Sequence, residues 1–91
     1  MNSLTVLADT GFDLIVHKMS DGRYQVFFEK GYVKDGVALV GKWGVGRTVE
    51  AAARDYLEKI NNEILVFGSG ENRKEIMLIY RTIGGLNNEM D

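Results

Sequence analysis

The feature that most restricts how this chain can fold is a run of apolar residues at helical spacing: Val49, Ala52, Ala53, Tyr56, Leu57 and Ile60. Residues three and four apart share one face of an α-helix, so the run predicts a continuous apolar stripe from Val49 to about Asn61. Glu50, Arg54, Asp55, Glu58 and Lys59 cover the opposite side. Glu50–Arg54 and Asp55–Lys59 are i,i+4 pairs in the favourable orientation, each worth about 0.2–0.5 kcal/mol. Thr48 is placed to cap the first turn, Glu50 suits the positive end of the helix dipole, and Asn61-Asn62 can end the helix. Such a stripe needs an apolar surface to lie on.

The preceding residues supply that surface. Phe12 to Met19 and Arg23 to Val33 read as strands, with Asp21-Gly22 between them as a type I′ hairpin signal. Tyr24, Val26 and Phe28 share one face of the second strand, while Arg23, Gln25, Phe27 and Glu29 share the other. That alternation describes a sheet with one dry side and one wet side. Lys34-Asp35-Gly36 signals a second hairpin, and Val37 to Trp43 returns as a third strand. The helix stripe is expected to bury the Tyr24 face.

Residues 2–10 suggest a turn or two of helix, with Ser3 as cap, Leu4 and Leu7 three apart, and Gly11 as stop. After the main helix, Glu63 to Phe67 is a further strand and Gly68-Ser69-Gly70 a break. Residues 75–80 favour a strand by β-branched content, although Ile76, Ile79, Tyr80 and Ile83 before Gly84-Gly85 would also suit a short helix. Leu86 to Asp91 reads as a frayed tail. The expectation is an α+β fold: a three-stranded antiparallel meander, one amphipathic helix and a further strand (β-β-β-α-β), with a short N-terminal helix. One domain spans residues 1–91, its core about 12–67 and a C-terminal extension over 68–91.

A chain of 91 residues buries about 60–65% of the surface its unfolded form exposes, enough for one core and little for a deep pocket. Net charge is −2, with acids and bases intermixed. No element gathers Lys and Arg as a nucleic-acid footprint would, which points to a protein or small-molecule partner, or to a very local nucleic-acid contact. There is no Cys and one His, so thiolate chemistry, disulfides and zinc knuckles are excluded and transition-metal sites nearly so. No cofactor loop is present. The longest apolar run, Ile76 to Tyr80, is too short to span a bilayer. No basic stretch followed by an apolar one marks the N-terminus as a signal peptide, and a cytoplasmic location with no membrane contact is expected.

No carboxylate pair or nucleophile–base pair nominates a catalytic residue. His17 reads as a half-exposed strand histidine. Asp9, Asp13, Asp21 and Asp35 fall at turns, where Asp bonds its own backbone. The candidate binding residues are Phe27, Tyr32, Lys42, Trp43 and Arg47. Phe27 lies on the wetter strand face, either under the C-terminal segment or in an interface. Trp43 is either a recognition anchor, as Trp often is in interfaces, or a core residue in register with Val37 and Leu39. The junction Gly41-Lys42-Trp43-Gly44-Val45-Gly46-Arg47-Thr48 runs from strand to capped helix. Its glycines either let the backbone approach an anion beside Lys42 and Arg47 or supply a sharp turn. It matches neither the P-loop nor the dinucleotide fingerprint.

Asp21-Gly22-Arg23-Tyr24-Gln25-Val26-Phe27-Phe28, followed by Gly46-Arg47-Thr48-Val49-Glu50-Ala51-Ala52, resembles the N-terminal domain of HicB-like antitoxins over about residues 12–67. The resemblance implies a β-β-β-α-β unit similar to a partial double-stranded-RNA-binding fold, acting by covering a small toxin ribonuclease. In overall style the chain also resembles small phage accessory proteins, among them anti-CRISPR inhibitors of bacterial defence nucleases. Both resemblances imply a non-catalytic protein that sterically neutralises a partner protein, a toxin or a nuclease. The alternative is a nucleic-acid-binding domain of similar topology. An uncovered edge strand in so small a sheet also invites a homo-oligomer.

Overall fold

Thr48 caps the main helix as its position predicts, its hydroxyl oxygen accepting the Ala51 N–H at 3.0 Å. The computed structural model describes residues 2–80. In chain order the elements are α1 Ser3–Ala8, β1 Leu14–Lys18, β2 Tyr24–Phe28, β3 Gly31–Asp35, β4 Ala38–Val40, β5 Gly44–Gly46, α2 Val49–Ile60, β6 Ile64–Phe67 and β7 Lys74–Met77. One 3₁₀ turn, Gly70–Asn72, precedes β7. The fold is α+β with antiparallel sheets and a short N-terminal helix. No helix among the described residues is long and apolar enough to cross a membrane.

The meander is divided between two sheets. One has the order β1-β2-β5 and the other β4-β3-β6-β7. The single strand expected over Arg23 to Val33 breaks at Glu29-Lys30, where Lys30 takes a left-handed backbone (φ 57). The next residue, Gly31, has no room for a side chain, because a Cβ would lie 2.7 Å from the Phe67 ring and 2.9 Å from Phe28 Cβ. The chain therefore turns a corner and passes into the second sheet. Of the strand expected over Val37 to Trp43 only Ala38–Val40 forms, as β4; residues 41–43 are irregular, and β5 follows at Gly44–Gly46, inside the glycine-rich junction and in the other sheet.

The hairpins are where the sequence places them, with altered geometry at the first. Gly22 is left-handed (φ 91) and no other residue of that loop is, so this is not a type I′ turn. Gly22 N–H donates to the Met19 carbonyl at 3.0 Å and Met19 N–H to the Arg23 carbonyl at 2.7 Å, closing a three-residue loop. At the second hairpin Asp35 pairs with Ala38, leaving Gly36-Val37 as a two-residue loop. Gly36 has φ 63, as the first position of a type II′ turn requires.

α2 buries Ala52, Ala53, Tyr56, Leu57 and Ile60 against Val26 and Phe28 of β2, the expected dry face. It also lies directly on β5. A Cβ at Gly44 would overlap the Ala52 carbonyl oxygen and the Tyr56 backbone nitrogen, and one at Gly46 would come within 2.6 Å of the Ala52 nitrogen. Next to this contact the Tyr56 hydroxyl accepts the Phe28 N–H at 3.1 Å. β5 pairs with β2 only from Tyr24 to Val26, so the Tyr56 hydroxyl takes up a donor that β5 does not reach. Phe28, Tyr56, Phe12 and Phe67 form an aromatic cluster across both sheets, with Phe12 stacked on Phe67 at 3.8 Å and Phe28 edge-on to Tyr56 at 5.6 Å.

The core reaches beyond residues 12–67 at both ends. Leu7 of α1 is fully buried, and Ile76, Leu78 and Tyr80 pack against the cluster. Residues 74–77 form the strand favoured over a helix. Asn61 then fastens the following stretch, its side chain accepting the Tyr80 N–H at 2.8 Å and donating to the Tyr80 carbonyl at 3.0 Å. The Ile83-Gly84-Gly85 end of the helical alternative and the tail from Leu86 lie outside the described residues. Asn2, not Ser3, caps α1, its side-chain oxygen accepting the Thr5 N–H at 2.8 Å. Ser3 is instead buried, and the N–H groups of Ser3 and Leu4 donate to the Glu50 carboxylate at 2.8 and 3.1 Å. Glu50 therefore serves α1 and makes no ion pair with Arg54.

Two variants at glycines should separate packing from chain freedom. Gly44→Ala should cost about 2 kcal/mol or more by overpacking, whereas Gly41→Ala, with open space around it, should change stability by less than about 0.5 kcal/mol; urea unfolding measures both. Tyr56→Phe should cost about 1–3 kcal/mol by leaving the Phe28 N–H unpaired. Burial raises the Tyr56 hydroxyl pKa, with the Phe28 N–H opposing that shift. A phenol raised in the folded state contributes stability that is complete below its unfolded value of about 10 and is lost as pH rises through the folded value. The gap between wild type and Tyr56→Phe should therefore narrow in unfolding curves taken above about pH 10.

Candidate functional site

Side chains alternate across a strand, so the residues of β2 and β5 that do not face α2 point outward. Gln25 pairs with Val45 and Val26 with Gly44; continuing that register sets Phe27 across from Trp43 on the outer side. At the corner after β2 the outer side of the first sheet meets the start of β3, which contributes Tyr32. These three aromatics line one open groove of about 220 Å³ at the junction of the sheets, with Gln25, Lys30 and Lys42. Phe27 is half-buried, while Tyr32 and Trp43 stay 44% and 49% exposed. Large aromatics that open to solvent in a shared concavity are a mark of recognition surfaces.

The backbone beneath Trp43 is fastened by α2. Lys59 donates from Nζ to the Trp43 carbonyl at 3.0 Å, and the Asp55 carboxylate accepts the Val45 N–H at 2.9 Å. Asp55 and Lys59 also pair with each other at 2.9 Å, as their i,i+4 spacing predicts. Partial burial pushes the Asp55 carboxyl up, but the Val45 N–H and Lys59 outweigh it and hold its pKa below the ordinary carboxylate value. One charge pair on one helical turn thus holds Trp43-Gly44-Val45 in place. The groove edge is set before anything binds, which lowers the ordering cost of binding.

Four of the five sequence-nominated residues, Phe27, Tyr32, Lys42 and Trp43, come together here. Arg47 does not; it is exposed beside the start of α2, away from the groove. Trp43 does not share a core with Val37 and Leu39, which are themselves exposed. Gly44 and Gly46 have a packing role beneath α2, and the nearby Glu50 carboxylate already occupies the amides of α1. Gln25 and Lys30 were not nominated. Gln25 was legible as a same-face neighbour of Phe27, whereas Lys30 enters the groove only through the left-handed corner.

His17 is exposed on β1 opposite Gln25. Among the described residues no three His, Cys, Asp or Glu side chains gather as metal ligands would. Asp21 does the local work expected of a turn aspartate, accepting both the Arg23 N–H at 3.0 Å and the Arg23 Nε–H at 2.7 Å. Compared with protein-family models, curated proteins and solved structures, the chain matches none.

A groove residue that is half-exposed should contribute little to folding. Trp43→Ala should lower stability by less than about 1 kcal/mol, a shift of only a few degrees in a circular dichroism melt. A fall comparable to that of Gly44→Ala would return Trp43 to the core.

Proposed function

We propose that this chain is a small, non-catalytic binding protein that neutralises a larger protein by covering part of its surface, with the aromatic groove as the centre of contact. The observation that supports this reading is the convergence of Phe27 from β2, Tyr32 from β3 and Trp43 from the residues just before β5 onto one pre-fastened groove. Aromatic side chains with few rotatable bonds supply contact area at low entropic cost. Lys30 and Lys42 beside them suit a partner segment that combines an apolar side chain with a carboxylate. Partners of the kind expected are a toxin, as for a HicB-like antitoxin, or a defence nuclease, as for an anti-CRISPR-like inhibitor.

Lys30 and Lys42 also favour one second reading. Aromatic platforms beside cations bind single-stranded nucleic acid by stacking, with affinity that falls steeply with salt. The net charge of −2 weighs against it.

Trp43 is the only tryptophan, so its fluorescence reports on the groove directly. With a partner captured from host lysate and then purified, binding should shift the emission to the blue. Trp43→Ala and Tyr32→Ala should each weaken that complex by about 2 kcal/mol, roughly thirtyfold, without unfolding the chain. Full affinity in both variants would overturn the role of the groove. Quenching of Trp43 by an oligonucleotide at low salt, abolished at high salt, would select the nucleic-acid reading instead.

A further inference from the structure

An edge strand offers unpaired N–H and C=O groups to any other strand, and proteins guard such edges with charge or cover. The described residues present four sheet edges, and three are guarded. β5 is covered by α2, through Asp55 on the Val45 N–H and Lys59 on the Trp43 carbonyl. β7 begins with Lys74-Glu75, and Glu75 is paired with both Arg73 at 3.0 Å and Lys34 at 3.7 Å. β1 ends in exposed His17-Lys18. β4 has no guard. Val37, Ala38, Leu39 and Val40 are all exposed and uncharged, Val37 fully so.

We propose that β4 pairs with β4 of a second copy of this chain, antiparallel and about a two-fold axis at Leu39. Three observations select a second copy. The first is the direction of the free backbone. Asp35 and Ala38 close a two-residue loop and so form a hydrogen-bonded pair; alternation then turns the N–H and C=O of Leu39 away from β3. An axis at Leu39 lets these two groups bond their own equivalents. The second is side-chain fit. In that register Leu39 faces Leu39 on one side of the joined sheet and Ala38 faces Val40 on the other, with no charge buried. The third is charge. The run is flanked by Asp35 at one end and Lys42 at the other, and neither is in an ion pair among the described residues. Antiparallel self-pairing brings the acidic end of one copy to the basic end of the other, whereas parallel pairing would set like against like.

So short a ladder buries less than the roughly 1,200 Å² of a standard interface, which places the dimer in the weak, concentration-dependent class. Sedimentation velocity should show wild type moving from monomer to dimer at concentrations on the order of tens to hundreds of micromolar. Leu39→Lys sets two ammonium groups against each other across the axis and should shift the midpoint at least tenfold, with an unchanged circular dichroism melt. Because the chain lacks cysteine, Leu39→Cys gives an independent test. The expected Cα separation of about 5.5 Å across a bonded pair suits a disulfide. Leu39→Cys should therefore cross-link under mild oxidation faster than Val16→Cys on β1. Wild type that stays monomeric throughout, Leu39→Lys that dimerises as wild type does, or equal cross-linking at both positions would each overturn the proposal. A β4 edge occupied only in complex with a different protein would do the same.

Discussion

The seating of α2 on the backbone of β5 is the contact on which the rest of this structure depends. Gly44 and Gly46 present no Cβ, so Ala51, Ala52 and Tyr56 meet the strand backbone directly. At that separation the Tyr56 hydroxyl reaches the Phe28 N–H at the point where β2 leaves its sheet. At the same separation Asp55 and Lys59 reach the outer backbone of β5. A single side chain beneath the helix would lift these contacts together, since interiors are close-packed and do not absorb an added carbon. The two glycines are thus the reason one short helix can seat on the first sheet and hold Phe28, which carries the aromatic contact to Phe67 of the second.

Much of this was legible in the sequence because it rests on local periodicity and local caps. The α2 stripe, Thr48 as its cap, the turns at Gly22 and Gly36, and the buried Val26–Phe28 face all follow from patterns within a few residues. The breaks at Lys30 and between Val40 and Gly44 do not. At the first, Phe67, some 36 residues away in sequence, packs where a Gly31 side chain would be; at the second, β5 forms inside a glycine-rich junction because α2 seats on its bare backbone. Glu50 shows the same limit. Its spacing to Arg54 is ideal, yet the amides of Ser3 and Leu4 offer it two partly buried donors, and charge-assisted bonds of that kind exceed an exposed ion pair.

The candidate site follows the same division. Phe27 stood out as an aromatic on a polar face, Lys42 as a cation beside the glycine-rich junction, and Tyr32 and Trp43 as candidate aromatic anchors. That they share a groove depends on the corner at Lys30, which sets the first turn of β3 beside the outer side of β2. Arg47 was nominated for proximity to the glycines, and those glycines turn inward. A glycine-rich strand-to-helix junction therefore has two physically distinct uses, and only the close approach of a neighbouring helix tells them apart.

The bond between Glu50 and the first amides of α1 spans 47 residues, and this has a consequence for the order in which the chain organises. A six-residue helix is far shorter than the roughly 12–15 residues that a helix needs to persist alone in water. α1 also precedes α2 in the chain and so is made before it during synthesis. Its clasp does not exist until α2 has formed and settled on β5. A segment made before α2 is therefore fixed only after it, and the carboxylate that fixes it arrives with the very helix whose completion it registers.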